Sequence, residues 1–191
     1  GLGLSIKMSG DDRVSAIFLG DGCVEEGVFY EAANFSEVQQ LPVVFICENN
    51  LYSVYSDLSV RQPVGRKIYE MVSSFGIKSV RGNGNKVLEV SEKVKIAKDN
   101  IHKGQGPQFL EFDTYRWREH CGPNYDNDIG YREESEFLEW QKKDPLADFL
   151  SDEKFSESLK AEINEEVRAA HAFAEDSPFP SDLDYQSIVK S

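Results

Sequence analysis

Val14-Ser-Ala-Ile-Phe-Leu-Gly-Asp-Gly22 and Val43-Val-Phe-Ile-Cys-Glu-Asn-Asn50 are the two stretches whose reading decides the fold. Each begins as a short apolar run, Val14 to Leu19 and Val43 to Cys47, rich in β-branched and aromatic residues and closed by glycine or polar residues, as a buried strand is. Between them Glu25 to Gln40 carries Val28, Ala32, Phe35 and Val38 at helical spacing, and Leu41-Pro42 stops the run. A strand, a helix and a second strand read as a parallel pair, since parallel neighbours need a long crossover. Parallel pairing brings both carboxyl ends to one edge of the sheet, where ligands of open α/β folds bind. Asp21 and Asn50 are thereby placed to reach a common ion. The expected fold class is α/β, a mostly parallel sheet with flanking helices.

The residue types suit that placement. Magnesium takes about six oxygen ligands, commonly one or two carboxylates completed by substrate phosphates and water, so Asp21 with an Asn50 amide oxygen suits a metal-bound diphosphate. Gly20 and Gly22 lack a Cβ, which permits a tight turn and lets backbone N–H groups approach phosphate oxygens. Singly, Gly-Asp-Gly is an ordinary turn and Asn-Asn an ordinary strand end. Their pairing at the ends of two neighbouring strands carries the reading.

Gly20-Asp21-Gly22, followed after residues 23 to 48 by Asn49-Asn50, resembles the thiamine diphosphate fingerprint. The fuller words Gly20-Asp-Gly-Cys-Val-Glu-Glu-Gly27, Tyr30-Glu-Ala-Ala-Asn34 and Leu41-Pro-Val-Val-Phe-Ile-Cys-Glu-Asn-Asn-Leu-Tyr-Ser53 are similar to the alpha subunit of the first component of 2-oxo acid dehydrogenase complexes. Thr114-Tyr-Arg-Trp-Arg-Glu-His120 resembles that family's cofactor-side loop, and Ala172-Phe-Ala-Glu-Asp-Ser-Pro-Phe-Pro180 its C-terminal helix end. The resemblance covers most of the chain. It implies one thiamine-diphosphate-binding domain over residues 1–191, helical from 133 to 191. Members of the family carry a further segment ahead of the part matched here, so the chain reads as a fragment or an unusually short subunit.

Carried over residue by residue, the resemblance implies that Asp21, Asn50 and the Tyr52 carbonyl bind Mg2+, and that Gly20, Gly22 and Cys23 lie against the diphosphate. His120 matches the loop histidine near the reaction space and is the expected catalytic residue, with Arg116 on the same loop. The family loop commonly has two histidines, whereas this one reads Arg118-Glu119-His120. Cys121 stands where animal relatives have a regulatory serine, which excludes phosphorylation there. The implied activity is oxidative decarboxylation of a 2-oxo acid, or action on acetoin, on thiamine diphosphate, with the acyl group passed to a lipoyl-bearing acyltransferase component. A beta subunit would supply the group that activates the cofactor ring, in an α2β2 heterotetramer. A transketolase-like cofactor domain and a non-catalytic scaffold of the same fold are the alternatives. Glu48-Asn-Asn-Leu-Tyr-Ser53 disfavours the first, and the intact Asp21 and Asn50 disfavour the second.

Composition sets wider bounds. A chain of 191 residues with 40% hydrophobic content fits one globular domain with a substantial core. A formal charge of −13 argues against nucleic acid as a partner, because phosphate binding rests on Lys and Arg. Cys23, Cys47 and Cys121 are widely spaced without a CxxC pair, which suits a reducing, cytoplasmic compartment with neither disulfides nor zinc. No stretch approaches the roughly 20 apolar residues of a membrane span.

Downstream the α/β pattern continues. Pro63 to Phe75 reads as a helix with Ile68, Met71, Val72 and Phe75 on one face, and Ile77 to Val80 as a strand. Asn85 is the expected cap of a helix striped by Val87, Leu88, Val94, Ala97 and Ile101 and ending near Gly104. Pro107 to Tyr115 alternates as a strand. Arg116 to Arg132 reads as a long functional loop, mobile until cofactor or partner orders it. Helices are expected at Glu133 to Lys142, Pro145 to Leu150 and Phe155 to Glu175. Their apolar residues, Phe137, Leu138, Trp140, Leu146, Phe149, Leu159, Ile163, Val167 and Ala170, are expected to pack on the sheet, with a subunit contact as the second choice. His102 and His171 read as surface residues, Glu25, Glu26 and Glu31 as the acidic opening of a helix, and Gly82-Asn-Gly84 and Gly104-Gln-Gly106 as turns rather than phosphate loops.

Overall fold

The computed structural model describes residues 1–147 and 157–181. These fall into two compact units, divided after Pro145. In the first, four parallel strands form a sheet in the order β1-β2-β6-β5, where β1 is Ser15–Gly20, β2 Val43–Asn49, β5 Lys78–Asn83 and β6 Gln108–Asp113. A two-stranded antiparallel ribbon of β3 (Tyr52–Ser53) and β4 (Ser56–Asp57) follows β2 directly. The helices of this unit are α1 (Leu2–Ser9), α2 (Gly27–Val38), α3 (Leu58–Arg61), α4 (Ile68–Ser73), α5 (Val87–His102) and α6 (Glu134–Gln141).

The runs that end at Gly20-Asp-Gly22 and Asn49-Asn50 are the two strands expected, and they are parallel. Ser15 lies opposite Val43 and Gly20 opposite Glu48, while Asn49 lies opposite Asp113 across the next ladder. The central strands β2 and β6 are buried on both faces, so β6 is buried without alternation from Gln108 to Phe112, with the polar Gln108 and Glu111 inside among Phe109, Leu110 and Phe112. Side chains alternate across a strand, and β2 divides accordingly. Val43, Phe45 and Cys47 join Phe109, Phe29, Ala33, Ile68 and Val72 in one core, under α2 and α4. Val44 and Ile46 join Leu110, Phe112, Ala97 and Ile101 in the other, under α5. Burial and the neighbouring Glu111 carboxylate push the Cys47 thiol far above the ordinary thiol range, so it packs as a small apolar group.

Helix α2 turns a different face to the core from the one expected. Phe29, Ala33 and Ser36 are buried, whereas Val28 is 69% exposed and Ala32, Phe35 and Val38 are exposed with it. The two stripes are offset by one residue, about 100° around a helix, and periodicity alone marks both. The edge-on contacts of Phe29 with Phe45 and Phe109, at centroid separations of 6.1 and 6.2 Å, fix which one is inside. Glu25 and Glu26 do not open this helix: Glu25 ends a 3-10 turn over Asp21–Glu25, and Glu26 precedes α2 as its N-cap.

Asn85 does not cap α5, whose N-cap is Lys86. Its side chain donates instead to the Lys143 carbonyl at 3.1 Å and accepts from the Thr114 hydroxyl at 3.1 Å, tying the turn after β5 to the segment after α6. Val87 and Leu88 of the expected stripe are exposed, while Val94, Ala97 and Ile101 pack as expected and Val90 joins them. The Pro63–Phe75 helix is confined to α4, since residues 63–67 form a turn around Gly65 at φ 81°. In α6, Phe137 and Trp140 pack against Tyr115 and Trp117 of the adjoining loop, while Leu138 is exposed.

The second unit, described by itself, contains α7 (Glu157–Asp176). Of the apolar residues expected to pack on the sheet, Leu159, Ile163 and Val167 are exposed. A helix striped by leucine, isoleucine and valine among charges has the same sequence whether its face meets a sheet or another chain. Phe149 and Phe155, and the helix expected from Pro145 beyond residue 147, lie outside the described residues. No helix among the described residues is long and apolar enough to cross a membrane.

Phe109 is 0% exposed at the centre of the sheet. Phe109→Ala should lower the unfolding free energy by about 3–5 kcal/mol, read from urea denaturation, and a loss below about 1 kcal/mol would contradict this account of the core.

Candidate functional site

At the carboxyl ends of β1 and β2 the polar residues divide their tasks. Asn49 is buried and structural: its Nδ2 donates to Glu111 Oε1 at 2.8 Å, and its Oδ1 accepts from the Leu51 N–H at 3.1 Å. Glu111 also accepts the Tyr69 N–H at 2.9 Å, so this buried carboxylate ties the end of β2 to the start of α4. Asn50 faces the other way. Its Oδ1 accepts from the Tyr52 N–H at 2.9 Å in an Asx turn, and its own N–H donates to Asp21 Oδ1 at 3.3 Å. That bond joins the two strand ends.

Asp21 is only 1% exposed, and a carboxylate out of water requires a cation or donors around it. The second oxygen, Oδ2, is held by the Arg61 guanidinium. Arg61 also donates to Glu25 Oε1 at 2.5 Å and to the Ser56 carbonyl at 3.0 Å. Gly22 lies beneath the β3–β4 ribbon, where a Cβ would come within 2.7 Å of Ser53 Oγ, so only glycine lets the ribbon lie this close. The ribbon's turns are strained. Leu51 has φ 69° and Val54 φ 56°, a left-handed conformation unusual for any residue with a Cβ and more so for a β-branched one.

The opposite wall is the Arg116–Arg132 loop. Arg116 donates to the Val54 carbonyl at 3.0 Å and to the Tyr131 hydroxyl at 3.0 Å, and its Nη1 lies 3.5 Å from His120 Nδ1. Behind it Asp126 is buried against Arg132 and accepts the Tyr131 hydroxyl at 2.6 Å. Burial alone would raise the Asp126 carboxyl; the Tyr131 hydroxyl and the Arg132 guanidinium outweigh it and hold the group below the usual aspartate range. Tyr52 donates to Glu136 Oε2 at 2.6 Å, and burial together with that bond pushes its hydroxyl well above the ordinary range. Tyr115, stacked on Trp140 at 5.5 Å, is pushed up to about 12 by burial. Ions and rings thus connect this loop to the ribbon and to α6 at several points.

These two walls enclose a cavity of about 400 Å³. Gly20, Asp21, Gly22, Cys23, Asn50, Tyr52, Arg116 and His120 all line it, so every site residue expected from the sequence comes to one place. Glu26, Ser53 and Val54 line it as well. Among the described residues no three acidic, His or Cys side chains converge as a metal cluster. A cation here would be held by mixed donors, Asp21, the Asn50 amide and a backbone carbonyl, which suits a hard, partly hydrated ion. The buried carboxylate, the glycine cradle and the basic wall of Arg116 and His120 together fit a metal-bound diphosphate.

The family model described as dehydrogenase E1 component matches residues 1–182. The chain belongs to the dehydrogenase E1 component family. It is 34% identical to 2-oxoisovalerate dehydrogenase subunit alpha of Bacillus subtilis over 97% of its length, covering 58% of that protein. It is 33% identical to pyruvate dehydrogenase E1 component subunit alpha of Rickettsia bellii over 95% of its length, covering 57% of that protein. The chain spans little more than half the length of these relatives. Among solved structures, benzoylformate decarboxylase from Polynucleobacter necessarius aligns with a TM-score of 0.44 and 18% identity over 60% of this chain and 22% of that one. Membership of the E1 family sets aside the transketolase-like alternative.

Sequence reasoning missed Arg61, Asp126 and Tyr131. Arg61 lies in a polar stretch with no motif, and its contact with Asp21 exists only because the ribbon folds back over Gly22. The Asp126 pairing carries a pH signature. A carboxyl depressed in the folded loop contributes stability that is complete above its unfolded value of about 3.9 and is lost as pH falls through the lower folded value. Trp117 and Trp140, the two tryptophans of the chain, both sit in the ring cluster beside it. In acid titration their emission should stay blue-shifted below pH ~3.9 in the wild type. Asp126→Asn should red-shift it already at neutral pH by leaving Arg132 buried and unpaired, and identical titration curves would contradict this role.

Proposed function

We propose that this chain is the cofactor-binding part of an E1 alpha subunit that uses thiamine diphosphate and Mg2+ to decarboxylate a 2-oxo acid, as an oxidoreductase component. The observation that carries the reading is the Asp21 carboxylate, buried at the end of β1 and bonded to the backbone of Asn50 at the mouth of a cavity lined by glycines. Asp21 Oδ1 and Oδ2, Asn50 Oδ1 and the Tyr52 carbonyl would hold the metal. The Gly22 and Cys23 N–H groups would meet the diphosphate. Bound here, thiamine diphosphate supplies the nucleophilic carbon and the electron sink that decarboxylation needs.

The chain's own residues do the positioning. Arg116 can only donate, so its approach to His120 Nδ1 calls for the tautomer with the proton on Nε2. His120 would then present an N–H donor at Nε2 to the reaction space. The Asp126–Arg132 pair and the Tyr131 hydroxyl hold Arg116, and through it the loop, at a fixed distance from the ribbon.

A beta subunit in an α2β2 assembly and a lipoyl-bearing acyltransferase component are the partners this reading requires. Uncovered apolar residues beside the site support a partner: Phe18 of β1 is 66% exposed, and Val28, Phe35 and Val38 of α2 are exposed on the other face. Three free cysteines, two of them exposed, favour the reducing cytoplasm.

Asp21→Ala in the assembled enzyme should abolish Mg-dependent retention of thiamine diphosphate without unfolding it; unchanged cofactor content would overturn the assignment. His120→Ala should retain the metal while impairing acyl transfer or diphosphate affinity. Full activity in that variant would remove His120 from the mechanism.

A further inference from the structure

Arg61 has no part in the reading above, yet its guanidinium sits on Oδ2, one of the two Asp21 oxygens named there as metal ligands. Its side chain is largely buried and fully engaged: Nη2 on Asp21 Oδ2 and on the Leu51 carbonyl at 3.4 Å, Nη1 on Glu25 Oε1 at 2.5 Å, Nε on the Ser56 carbonyl at 3.0 Å. Two carboxylates and two carbonyls therefore converge on one cation. We infer that Arg61 is the resident counter-ion of the metal-free site, bridging Asp21 and Glu25, and that a divalent cation must displace it from Asp21 in order to bind. The inference rests on the assignment of Asp21 as a metal ligand.

Charge favours the exchange. A buried carboxylate needs a positive partner, and Arg61 supplies one when no metal does. A divalent ion and a guanidinium on the same carboxylate would repel at contact distance inside a site of low dielectric. The structure also contains a place for the displaced head. Glu25 remains its partner at the more exposed side of the cluster, and the neighbouring Gln62 donates to Glu25 Oε1 at 3.1 Å. Gln62 is 7% exposed, and its Oε1 has no hydrogen-bond partner, a buried acceptor left open beside Glu25.

The segment that would carry the movement is the strained one. Leu51 and Val54 hold left-handed backbone between Asn50 and Arg61, and such conformations persist only where surrounding contacts over-determine them. The Arg61 bonds to the Leu51 and Ser56 carbonyls and the Arg116 bond to the Val54 carbonyl are those contacts. Metal loading is thus coupled to the β3–β4 ribbon, through a residue that touches neither the metal nor the cofactor in the loaded state.

The test uses the full-length protein assembled with its partner, stripped of metal and cofactor, and titrated with Mn2+ in the presence of thiamine diphosphate while free Mn2+ is counted by electron paramagnetic resonance. Arg61→Met should bind Mn2+ about tenfold tighter than wild type, the scale of one charge-assisted contact that no longer has to be broken. Arg66→Met removes the same charge from an exposed position five residues away and should change affinity by no more than about twofold, as a screened surface charge does. Arg61→Lys keeps the charge and the fold but cannot span Asp21 and Glu25, and should fall between wild type and Arg61→Met. Arg61 variants that bind Mn2+ no tighter than wild type and Arg66→Met overturn the inference, and weaker binding would make Arg61 a ligand-side residue instead. Wild-type Mn2+ binding that survives Asp21→Asn overturns the metal assignment and the inference with it.

Discussion

A carboxylate withdrawn from water at the end of a strand is the constraint around which this molecule is arranged. Asp21 is positioned by the parallel pairing of β1 with β2, covered by a ribbon that only a glycine at position 22 allows so close, and neutralised by an arginine brought from α3. Taking an ion out of water costs several kcal/mol even after relaxation, so each of these features offsets part of a penalty that the fold would otherwise avoid. Glu111 repeats the theme on the neighbouring strand with a different outcome. Its oxygens are consumed by Asn49 and the Tyr69 amide, which leaves it a brace, whereas Asp21 retains a face toward the cavity.

Much of this was legible in the sequence, for reasons that differ by element. The strands β1 and β2 were readable because short β-branched runs ended by glycine or asparagine have few other uses, and their parallel pairing followed from the single helix between them. The convergence of Asp21, Asn50, Tyr52, Arg116 and His120 on one cavity followed from motif words together with that topology. The buried face of α2 was not readable: Val28, Ala32, Phe35 and Val38 form as good a stripe as Phe29, Ala33 and Ser36, and only the rings of Phe45 and Phe109 choose between them. Asn85 has the composition of a helix cap and serves as a clamp on Lys143 and Thr114, a choice made by residues far away in sequence.

The site also illustrates how a loop without regular structure can be a densely connected wall. Between Arg116 and Arg132 there is no helix or strand, yet Arg132 lies with its guanidinium 4.8 Å from the centre of the Tyr115 ring, Asp126 is buried beneath it, and Tyr131 meets Tyr52 edge-on at 5.3 Å. Pattern-based reading sees only the absence of periodicity. The order comes from paired charges and rings whose partners are the ribbon on one side and α6 on the other.

The uncovered surface around β1 bears on how such a chain is made in a cell. An edge strand with Phe18 exposed beside an α2 face of valines and a phenylalanine is adhesive until something covers it, and unpaired strand edges are the usual template for aggregation. Left uncovered, that edge would hand the polypeptide to chaperones and proteases. Covering that edge is thus a demand written into the sheet itself, separate from any demand of catalysis.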